Sequence, residues 1–568
     1  MKKKFGNLRF YFIFFLIVLA AGCIAVRLFY LQVLKHGFYA ALAEGQHEFT
    51  KKIIPQRGEI FIQGKNNLLY PLAVNRTYQT VFLTPKEIMD KNEVASKLAP
   101  IVEIPEDKIL EKMKDPEDPY ESLKSKLSDE AVQKIKELKL AGVYLSSENL
   151  RWYPQENLAS HISGFVGFKD NQRIGQYGVE GYYEKELAGS SGFLSSEKDA
   201  LGRWFLVSDY RIQPAQDGAD IYLTLDQNIQ YAVEQKMKEV LEKWDSKNGC
   251  AIVMEPKTGA IRALASFPEF NPNEYNKVES MNIFLNSCVQ GLYEPGSVFK
   301  PIVMAAGLDT NKISPETTYV DTGSVQIGGY VVKNSQEKTY GLSTMTEVLE
   351  KSINTGVIFV QKTIGGETFK KYIETFGFGE LLGVDLSGEA GGNLKNLYED
   401  RDINFATAAF GQGISATPLQ MTAAIAAIAN NGKLMKPYIV EKIVESNGEE
   451  KKTEPQEIRQ VISAQAAGKL TAMLVSTVRN GYDKVKIKDY FIAGKTGTAQ
   501  IPSEDKRGYS EETSHTFVGY APAYNPKFII FLKMEKPRGI QFASESLAPV
   551  FSDLAQYLFN YYEIPPEG

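Results

Sequence analysis

The longest uninterrupted hydrophobic stretch of the chain lies near its N-terminus. No charged residue occurs from Phe10 to Val26, and three lysines and an arginine precede this run. A run of about 17 residues is near the lower limit for a bilayer-spanning helix, and the apolar pattern continues past Arg27. Basic residues before a span favour a cytoplasmic N-terminus. The pattern therefore predicts a cytoplasmic tail (residues 1–9), a transmembrane anchor helix (10–34) and an external remainder.

A cleaved signal peptide is the alternative interpretation of this segment. The letters AAGC place Cys23 where a lipoprotein would be lipidated. The hydrophobic pattern nevertheless runs on past Cys23 as RLFYLQVLKHGFYAAL, without the polar start expected after cleavage. This favours an uncleaved anchor and leaves the lipidation of Cys23 open. In both cases the main body lies outside the cytoplasm and is attached to the membrane.

Two patterns follow the anchor. From Gln46 to Pro85, β-branched and aromatic residues alternate with polar ones, which predicts strands. From Pro85 to about Leu140, charged segments such as EVASKLAPIV and DEAVQKIKEL predict solvated helices, and this zone contains no chemical motif. The pattern indicates a mixed spacer domain, which we place at residues 35–214.

The remainder, residues 215–568, starts with a strand and a helix that Asp226 caps. Apolar positions recur three or four residues apart along this helix up to Trp244. CAIVMEP and IRALASFP predict a strand pair, and three further strand candidates precede a closing helix. A helix-rich middle lies between them. We predict an α+β fold, in which an antiparallel sheet from both chain ends is flanked by helices and holds an all-helical subdomain.

Composition limits the chemistry. A length of 568 residues favours two or three domains. The net charge of −5 is modest and does not suggest nucleic-acid binding. The cysteines, Cys23, Cys250 and Cys288, lack the spacing of a metal site or a disulfide framework, although a single Cys250–Cys288 bridge stays open. The four histidines restrict histidine-based catalysis.

The first candidate site is LYEPGSVFKP, which places Ser297 and Lys300 three residues apart. The Pro-Gly pair prepares a helix start, and Pro301 is tolerated only in the first turn. Residues i and i+3 share a helix face. A lysine that is partly buried at a helix N-terminus loses its charge more easily and can act as a base toward a hydroxyl. An ordinary helix start with a surface lysine is the alternative.

The second candidate site is LEKSINTG, with Ser352 and Asn354. Residues i and i+2 do not share a helix face, so both side chains can reach one site only from a loop or an extended turn. The hydroxyl could relay a proton, and the amide could orient a peptide substrate. Capping of a helix end is the alternative explanation.

The third candidate site is AGKTGTAQ. Gly494 and Gly497 are costly within a strand unless another backbone approaches closely, which fits a peptide lying along the strand. Lys495 offers a positive charge to a carboxylate. Alternation places Thr496 and Thr498 on the face opposite Lys495, which favours the backbone N–H of Thr498 over its side chain as a ligand. A turn between strands is the alternative.

In this order, the three motifs resemble the S-x-x-K, S-x-N and K-T/S-G set of serine penicillin-binding proteins and β-lactamases. Segments such as MEPKTGAIRALASFPEFNPN and FGQGISATPLQMTAAIAAIANNG are similar to the transpeptidase domain of class B penicillin-binding proteins. RGEIF, LRWYPQENLASHISGFVG and GVEGYYEKELAG resemble their N-terminal pedestal domain. One departure is that Ile62 and Gln63 stand where the family has an acid and an arginine, which puts the pedestal's partner contacts in doubt.

The resemblance implies a serine acyl-enzyme mechanism without metal or cofactor. Ser297 would attack the carbonyl between the terminal D-alanines of a peptidoglycan stem peptide, and Lys300 would take its proton. Ser352 would help pass a proton to the leaving D-alanine. The backbone amides of Ser297 and Thr498 would form the oxyanion hole. The substrate-binding set would be Asn354, Lys495, Thr496, Gly497 and Thr498.

The resemblance also implies partners. An amine from a neighbouring stem peptide would take the acyl group and cross-link the wall, and β-lactams would acylate Ser297. A polytopic lipid-II polymerase would contact the anchor helix and the pedestal. The SINTG form of the second motif favours the septal type of enzyme over the elongation type.

Several alternatives stay open. A D,D-carboxypeptidase or β-lactamase is disfavoured by the spacer domain, a membrane β-lactam sensor by the single span, and a non-catalytic division scaffold by the intact motifs. An elongation-type transpeptidase is a further alternative. His515 could suggest a Ser-His-Asp triad, but Lys300 already fills the role of base, and a histidine in a strand favours a structural role.

Overall fold

The computed structural model describes residues 5–30, 48–116, 118–169, 172–197, 211–399, 401–503 and 508–567. The first residues of the predicted tail (1–4), the end of the predicted anchor (31–34) and the start of the predicted spacer (35–47) lie outside these ranges.

Helices and strands are numbered along the chain. The helices are α1 (Phe5–Phe29), α2 (Lys91–Val102), α3 (Glu106–Lys112), α4 (Asp129–Leu138), α5 (Ser160–Ser163), α6 (Gly178–Tyr182), α7 (Glu184–Ala188), α8 (Gln227–Lys243), α9 (Lys300–Asp309), α10 (Met345–Glu350), α11 (Asn354–Ile364), α12 (Gly366–Thr375), α13 (Asp402–Ala408), α14 (Pro418–Ala429), α15 (Ala464–Gly481), α16 (Ala543–Ser546) and α17 (Ala548–Tyr561). The strands are β1 (Glu48–Ile53), β2 (Ile60–Gln63), β3 (Leu69–Leu83), β4 (Glu121–Leu127), β5 (Val143–Trp152), β6 (Phe165–Lys169), β7 (Gln172–Gln176), β8 (Gly192–Glu197), β9 (Arg211–Gln213), β10 (Asp220–Asp226), β11 (Gly249–Met254), β12 (Ile261–Phe267), β13 (Thr318–Asp321), β14 (Ser324–Ile327), β15 (Tyr330–Lys333), β16 (Gly341–Thr344), β17 (Lys433–Met435), β18 (Val440–Val444), β19 (Glu450–Lys452), β20 (Glu457–Gln460), β21 (Ala493–Pro502), β22 (Tyr509–Ala521) and β23 (Phe528–Glu535).

The chain divides into two compact units, and the smaller one combines Met1–Gln56 with Gly189–Gly218. It contains α1, whose segment Phe10–Phe29 has a mean hydropathy of 2.6. Within the described residues, α1 is the one helix that is long and apolar enough to cross a membrane. In the same unit, β8 lies between β1 and β9 in an antiparallel sheet.

The larger unit combines Arg57–Ala188 with Ala219–Gly568. Its first sheet has the order β19-β18-β10-β2-β3-β4, and β5 also pairs with β3. The helices α2, α3 and α4 bury Leu98, Ile109 and Ile135 in one cluster beside this sheet. The charged zone predicted to be helical therefore also contains β4, whose ESLKSKL sequence has too little apolar alternation to indicate a strand.

The three segments that resemble the pedestal domain, RGEIF, LRWYPQENLASHISGFVG and GVEGYYEKELAG, meet at one buried carboxylate. Glu180 is fully buried, and its side chain pairs with Arg57 (2.5 Å) and Arg151 (2.6 Å). Arg57 also pairs with Glu184 at 2.6 Å. The two guanidinium groups hold the pKa of Glu180 below its usual value although burial acts in the opposite direction. This network joins the segment just before β2, which holds Arg57, to β5 and α6.

The second sheet of the larger unit has the order β12-β11-β23-β22-β21 and is antiparallel throughout. Its strands come from both sides of the helix-rich middle, as the hydrophobic pattern predicts. Asp226 caps α8 by accepting hydrogen bonds from the backbone N–H groups of Asn228 and Ile229. On one face of the sheet, α8 and α17 pack apolar residues such as Met237 and Phe551.

The helix-rich middle is confirmed, with α9 and α14 almost entirely buried. It is not purely helical, because β13–β16, β14–β15 and β17–β20 form three short two-stranded sheets. These strands have four residues or fewer, which is too short for a clear alternating pattern.

One strand bears on the predicted boundary at residue 215. Strand β10 begins just after this boundary, but it pairs in parallel with β2 and antiparallel with β18, so the sheet contains strands from both sides of the boundary.

Ile62 is one of the two residues that depart from the family pattern. It is fully buried in the main core cluster. Its apolar side chain therefore serves packing.

Candidate functional site

The segment that carries Ser297 is a single 3-10 turn, Gly296–Phe299, which leads directly into α9. The backbone N–H of Lys300 donates to the carbonyl oxygen of Ser297. Residues i and i+3 eclipse each other in a 3-10 turn, so the two side chains lie on one face. Ser297 is half-buried and Lys300 is fully buried.

The amine of Lys300 lies at the centre of the site. Its Nζ donates to the carbonyl oxygen of Ser352 (2.5 Å), to Oδ1 of Asn354 (2.8 Å) and to Oγ of Ser352 (3.2 Å). Burial, and next the nearby ammonium of Lys495, hold the pKa of Lys300 well below its usual range. A neutral amine has two N–H groups, which the two carbonyl oxygens can accept, and its lone pair is then left for a hydroxyl proton.

The Ser297 hydroxyl makes no side-chain hydrogen bond to Lys300 among the residues that the structure describes. The geometry therefore brings the two side chains to one face of the turn without joining them. Hydrogen bonds of this kind often tighten only when a substrate is bound.

The second motif lies between two helices, as its spacing requires. Ser352 has a left-handed backbone conformation (φ +53°) in the connection between α10 and α11, and Asn354 is the first residue of α11. The Ser352 hydroxyl oxygen lies between the two lysines, 3.2 Å from Nζ of Lys300 and 3.1 Å from Nζ of Lys495. A hydroxyl in this position can accept a proton from one amine and donate its own to the other.

The Asn354 amide is also engaged. Its Oδ1 accepts from Lys300, and its Nδ2 donates to the carbonyl oxygen of Lys333 at 3.0 Å. The next residue, Thr355, donates through Oγ1 to the buried Asp321 at 2.6 Å. The β14–β15 hairpin, which contains Lys333, and Asp321 thus fix the start of α11 and keep Asn354 beside Lys300.

The third motif lies on β21, the edge strand of the five-stranded sheet. Lys495 is buried, and its Nζ donates to Oγ of Ser352, to the Tyr482 hydroxyl (2.9 Å) and to the carbonyl oxygen of Thr496 (3.2 Å). Thr496 N–H donates to the Tyr482 hydroxyl, so it faces away from β22. Because alternate residues of an antiparallel strand share one direction, the N–H of Thr498 faces the open edge as well.

Gly497 is where the strand meets the turn that carries Ser297. A Cβ at this position would lie 3.1 Å from Val298 Cγ1 and 3.3 Å from the carbonyl oxygen of Pro295. The close backbone approach that the glycine predicts is therefore an approach of the protein's own turn. It places Ser297 beside the open edge of β21.

His515 lies opposite Thr498 in the register of β21 and β22. It is fully buried, and its Nδ1 is 2.8 Å from Oγ of Ser546. Burial lowers its pKa to about 4. Among the described residues its ring makes no hydrogen bond to Ser297 or Lys300, and this placement supports the structural role expected from the sequence.

Two features go beyond the sequence prediction. Tyr482 contacts both Lys495 and Thr496, but the sequence gives only a tyrosine between a helix and a strand, which indicates no such role. Cys250 and Cys288 form the disulfide that the spacing had left open, and it links β11 to the segment preceding Ser297. Cys23 is an exposed free cysteine.

Family models match two parts of the chain. Residues 249–556 match the penicillin-binding protein transpeptidase domain, and residues 52–223 match the penicillin-binding protein dimerisation domain. The two ranges leave residues 224–248 between them.

Relatives match most of the chain. Stage V sporulation protein D of Bacillus subtilis (strain 168) is 33% identical over 540 residues, which cover 94% of this chain and 82% of that protein. Peptidoglycan D,D-transpeptidase FtsI of Escherichia coli (strain K12) is 27% identical over 561 residues, covering 97% and 91%. The crystal structure of penicillin-binding protein 3 from Mycobacterium tuberculosis complexed with aztreonam has a TM-score of 0.70 at 26% identity, covering 91% and 98%.

Proposed function

This chain belongs to the penicillin-binding protein transpeptidases, and we propose that it cross-links peptidoglycan stem peptides through an acyl-enzyme on Ser297. The observation that supports this most directly is the Lys300 amine. It is buried, its pKa is low, and it contacts Ser352 and Asn354 from the same turn that presents Ser297.

Acylation begins with the Ser297 hydroxyl. Its oxygen attacks the carbonyl between the two terminal D-alanines while its proton moves to the lone pair of Lys300. The N–H groups of Ser297 and Thr498 stabilise the oxyanion, a contribution of about 10²–10³ in rate per donor. The C–N bond then breaks, and the departing D-alanine takes the proton from Lys300 through the Ser352 hydroxyl, which also contacts Lys495.

Substrate binding uses the open edge of β21. A stem peptide adds to this edge as a further strand, with its terminal carboxylate near Lys495 and Thr498. Gly497 allows the Ser297 turn to lie against the strand, and Asn354 orients the peptide amide. An amine of a second stem peptide then attacks the acyl-enzyme carbonyl and the ester C–O bond to Ser297 breaks. The proton that the amine loses passes through Lys300 to the Ser297 oxygen, which restores the hydroxyl. β-Lactams acylate Ser297 through the same first step.

The N-terminal helix, the one candidate span in the described part of the chain, supports a single-pass membrane protein. We place residues 1–9 in the cytoplasm, the anchor at 10–34, the pedestal at 35–214 and the transpeptidase domain at 215–568 on the outer side. We further propose that it acts at the division septum with a lipid-II polymerase in the membrane. The S-x-N form of the second motif and relatives named FtsI support the septal role.

The test is to identify the acylated residue. The full-length chain in detergent is treated with penicillin, digested and analysed by mass spectrometry, with Ser297→Ala as the control. We expect an adduct on the peptide that holds Ser297 and none in the variant. An adduct elsewhere, or equal labelling of the variant, would contradict the assignment.

A second measurement separates cross-linking from hydrolysis. Stem peptide is incubated with the enzyme in the presence and absence of an acceptor amine. We expect an aminolysis product that increases with acceptor concentration. Hydrolysis alone at every acceptor concentration would instead favour a D,D-carboxypeptidase.

A further inference from the structure

The Tyr482 hydroxyl is a meeting point of three hydrogen bonds beside the third motif. Its oxygen accepts from Nζ of Lys495 (2.9 Å) and from the backbone N–H of Thr496 (3.3 Å), and it shares a third hydrogen bond with Oγ1 of Thr496 (2.9 Å). The ring is buried, and Nζ of Lys495 lies 5.7 Å from its centroid. Tyr482 therefore fixes both consecutive residues of the motif, although alternation alone would direct their side chains to opposite faces.

These bonds close the edge of β21 at Thr496. Its N–H is taken by Tyr482, and its carbonyl oxygen accepts from Nζ of Lys495 at 3.2 Å. An extended peptide that adds to this edge needs free N–H and C=O groups. The next N–H that faces the edge belongs to Thr498, two residues further along the strand.

The hydroxyl groups of Thr496 and Thr498 also differ in their hydrogen bonds. Thr496 Oγ1 forms a hydrogen bond with the Tyr482 hydroxyl at 2.9 Å, so this threonine hydroxyl is held by the protein itself. Thr498 Oγ1 accepts from the backbone N–H of Ala543 at 3.1 Å, so its own proton is free to donate. The carboxylate of a substrate therefore finds a hydroxyl donor at Thr498 and, nearby, the positive charge of Lys495, whose N–H groups are held by Ser352, Tyr482 and Thr496.

Resting on the proposed function, we propose that Tyr482 is a positioning residue that closes the carboxylate end of the peptide groove. It holds Lys495 in place and seals the edge at Thr496, so that a bound peptide pairs from Thr498 onward and must end there. The enzyme thereby selects for a free terminal carboxylate, through contacts outside the three motifs.

The electrostatics of the phenol agree with this role. Burial opposes ionisation, but the ammonium of Lys495 and the hydrogen bonds from Lys495 and Thr496 bring the pKa of Tyr482 below its usual value. The hydrogen bond that this oxygen accepts from Lys495 helps to stabilise a lysine that is otherwise buried among neutral groups.

The test compares a β-lactam acid with its methyl ester. The full-length chain and Tyr482→Phe are acylated in detergent by benzylpenicillin or by benzylpenicillin methyl ester, and the rates are obtained by competition with a fluorescent penicillin. Tyr520→Phe is the matched control, because Tyr520 is a buried tyrosine whose hydroxyl is 2.8 Å from Oγ1 of Thr471 and contacts neither lysine.

We expect the acid-to-ester ratio of acylation rates to fall about tenfold in Tyr482→Phe, as for loss of one hydrogen bond to a charged group, and to stay unchanged in Tyr520→Phe. An unchanged ratio in Tyr482→Phe would overturn the proposal, and so would a parallel loss with both compounds, which indicates a structural defect. The proposed function is judged separately, by the Ser297 adduct of the unsubstituted chain.

Discussion

At the scale of single residues, the site depends on an amine that is kept neutral. Lys300 is fully buried and faces a second lysine across the Ser352 hydroxyl. Since only the unprotonated amine can take the Ser297 proton, acylation should rise as the pH increases through the pKa of Lys300. Burial and Lys495 place that pKa well below the value of an ordinary lysine.

Replacing the second lysine should move this pH dependence. In Lys495→Met the positive charge that lowers the pKa of Lys300 is lost, so the pKa rises toward its usual value. We expect the acid limb of the pH–acylation profile to shift to higher pH. Penicillin acylation across the pH range measures this, with the exposed Lys257→Met as control. An acid limb at the original pH in Lys495→Met would contradict the electrostatic coupling.

Residue-level prediction from the sequence works where the contact is local. Ser297 and Lys300 belong to one turn, so their spacing is enough to predict a shared face. Tyr482 could not be found this way, because its contact with Lys495 requires that the end of α15 and the start of β21 fold back on each other. The alternation rule also misdirects here, since the long lysine side chain reaches around the strand edge.

At the scale of elements, the edge strand β21 and the turn Gly296–Phe299 form one assembly. The turn lies against Gly497, and a Cβ at Gly296 would lie 2.7 Å from the Cβ of Ala499. Because both glycines occur where the two elements touch, side-chain volume at this contact determines where Ser297 lies relative to the Thr498 N–H.

Adding one methyl group at this contact should impair acylation more than folding. In Gly497→Ala the new Cβ presses on Val298 and on the Pro295 carbonyl, which costs about 1–3 kcal/mol. The Ser297 turn must then give by a few tenths of an ångström. Because a misplacement of about 1 Å costs about 10²-fold, we expect the acylation rate to fall about tenfold. Rates with fluorescent penicillin and the melting temperature are the measurements.

The control for this variant is Gly468→Ala. Gly468 is exposed within α15, and a Cβ there meets nothing within 4 Å. This variant should retain full acylation and gain slightly in stability, because alanine favours a helix over glycine. Equal acylation by both variants would show that the contact at Gly497 does not position Ser297.

Elements with clear alternation were predictable, and the others were not. The strands around Phe531 and around Cys250 have apolar patterns that suffice to identify them. Strand β4 is masked by its lysines, serines and glutamate. The short two-stranded sheets of the helix-rich middle depend on strand partners and neighbours that the surrounding fold supplies. The pattern of a single segment does not contain this information.

At the scale of the whole molecule, the three spacer segments that resemble the pedestal domain contribute the residues of a buried ion network. Arg57, Arg151 and Glu180 come from three separate segments, and the side chain of Tyr153 adds a hydrogen bond to Glu180 at 3.2 Å. The resemblance located these segments in the sequence, but their convergence required the structure. Strands β10, β18 and β19 join the same sheet as the spacer strands β2, β3 and β4. This pairing was not predictable from the order of the strands along the chain.

Removing the central charge of the network should destabilise this region. In Glu180→Gln the size is kept, but the two guanidinium groups lose their shared carboxylate inside the protein. We expect a loss of about 3 kcal/mol, typical of breaking a buried ion pair. The denaturant midpoint measures it, and Glu130→Gln, which breaks an exposed pair with Lys134, should leave it unchanged. Equal midpoints for both variants would contradict the role of the network.

In the membrane topology proposed above, with the N-terminus inside, the first sheet sets an order of events during export. The chain would emerge from the membrane in sequence, so that β10 can pair with β2 early. Its other side must wait for β18, which follows the entire Ser297 and Ser352 region. An unpaired strand edge invites wrong association. In that topology we expect the nascent chain to need shielding on the outer surface until β18 has been delivered.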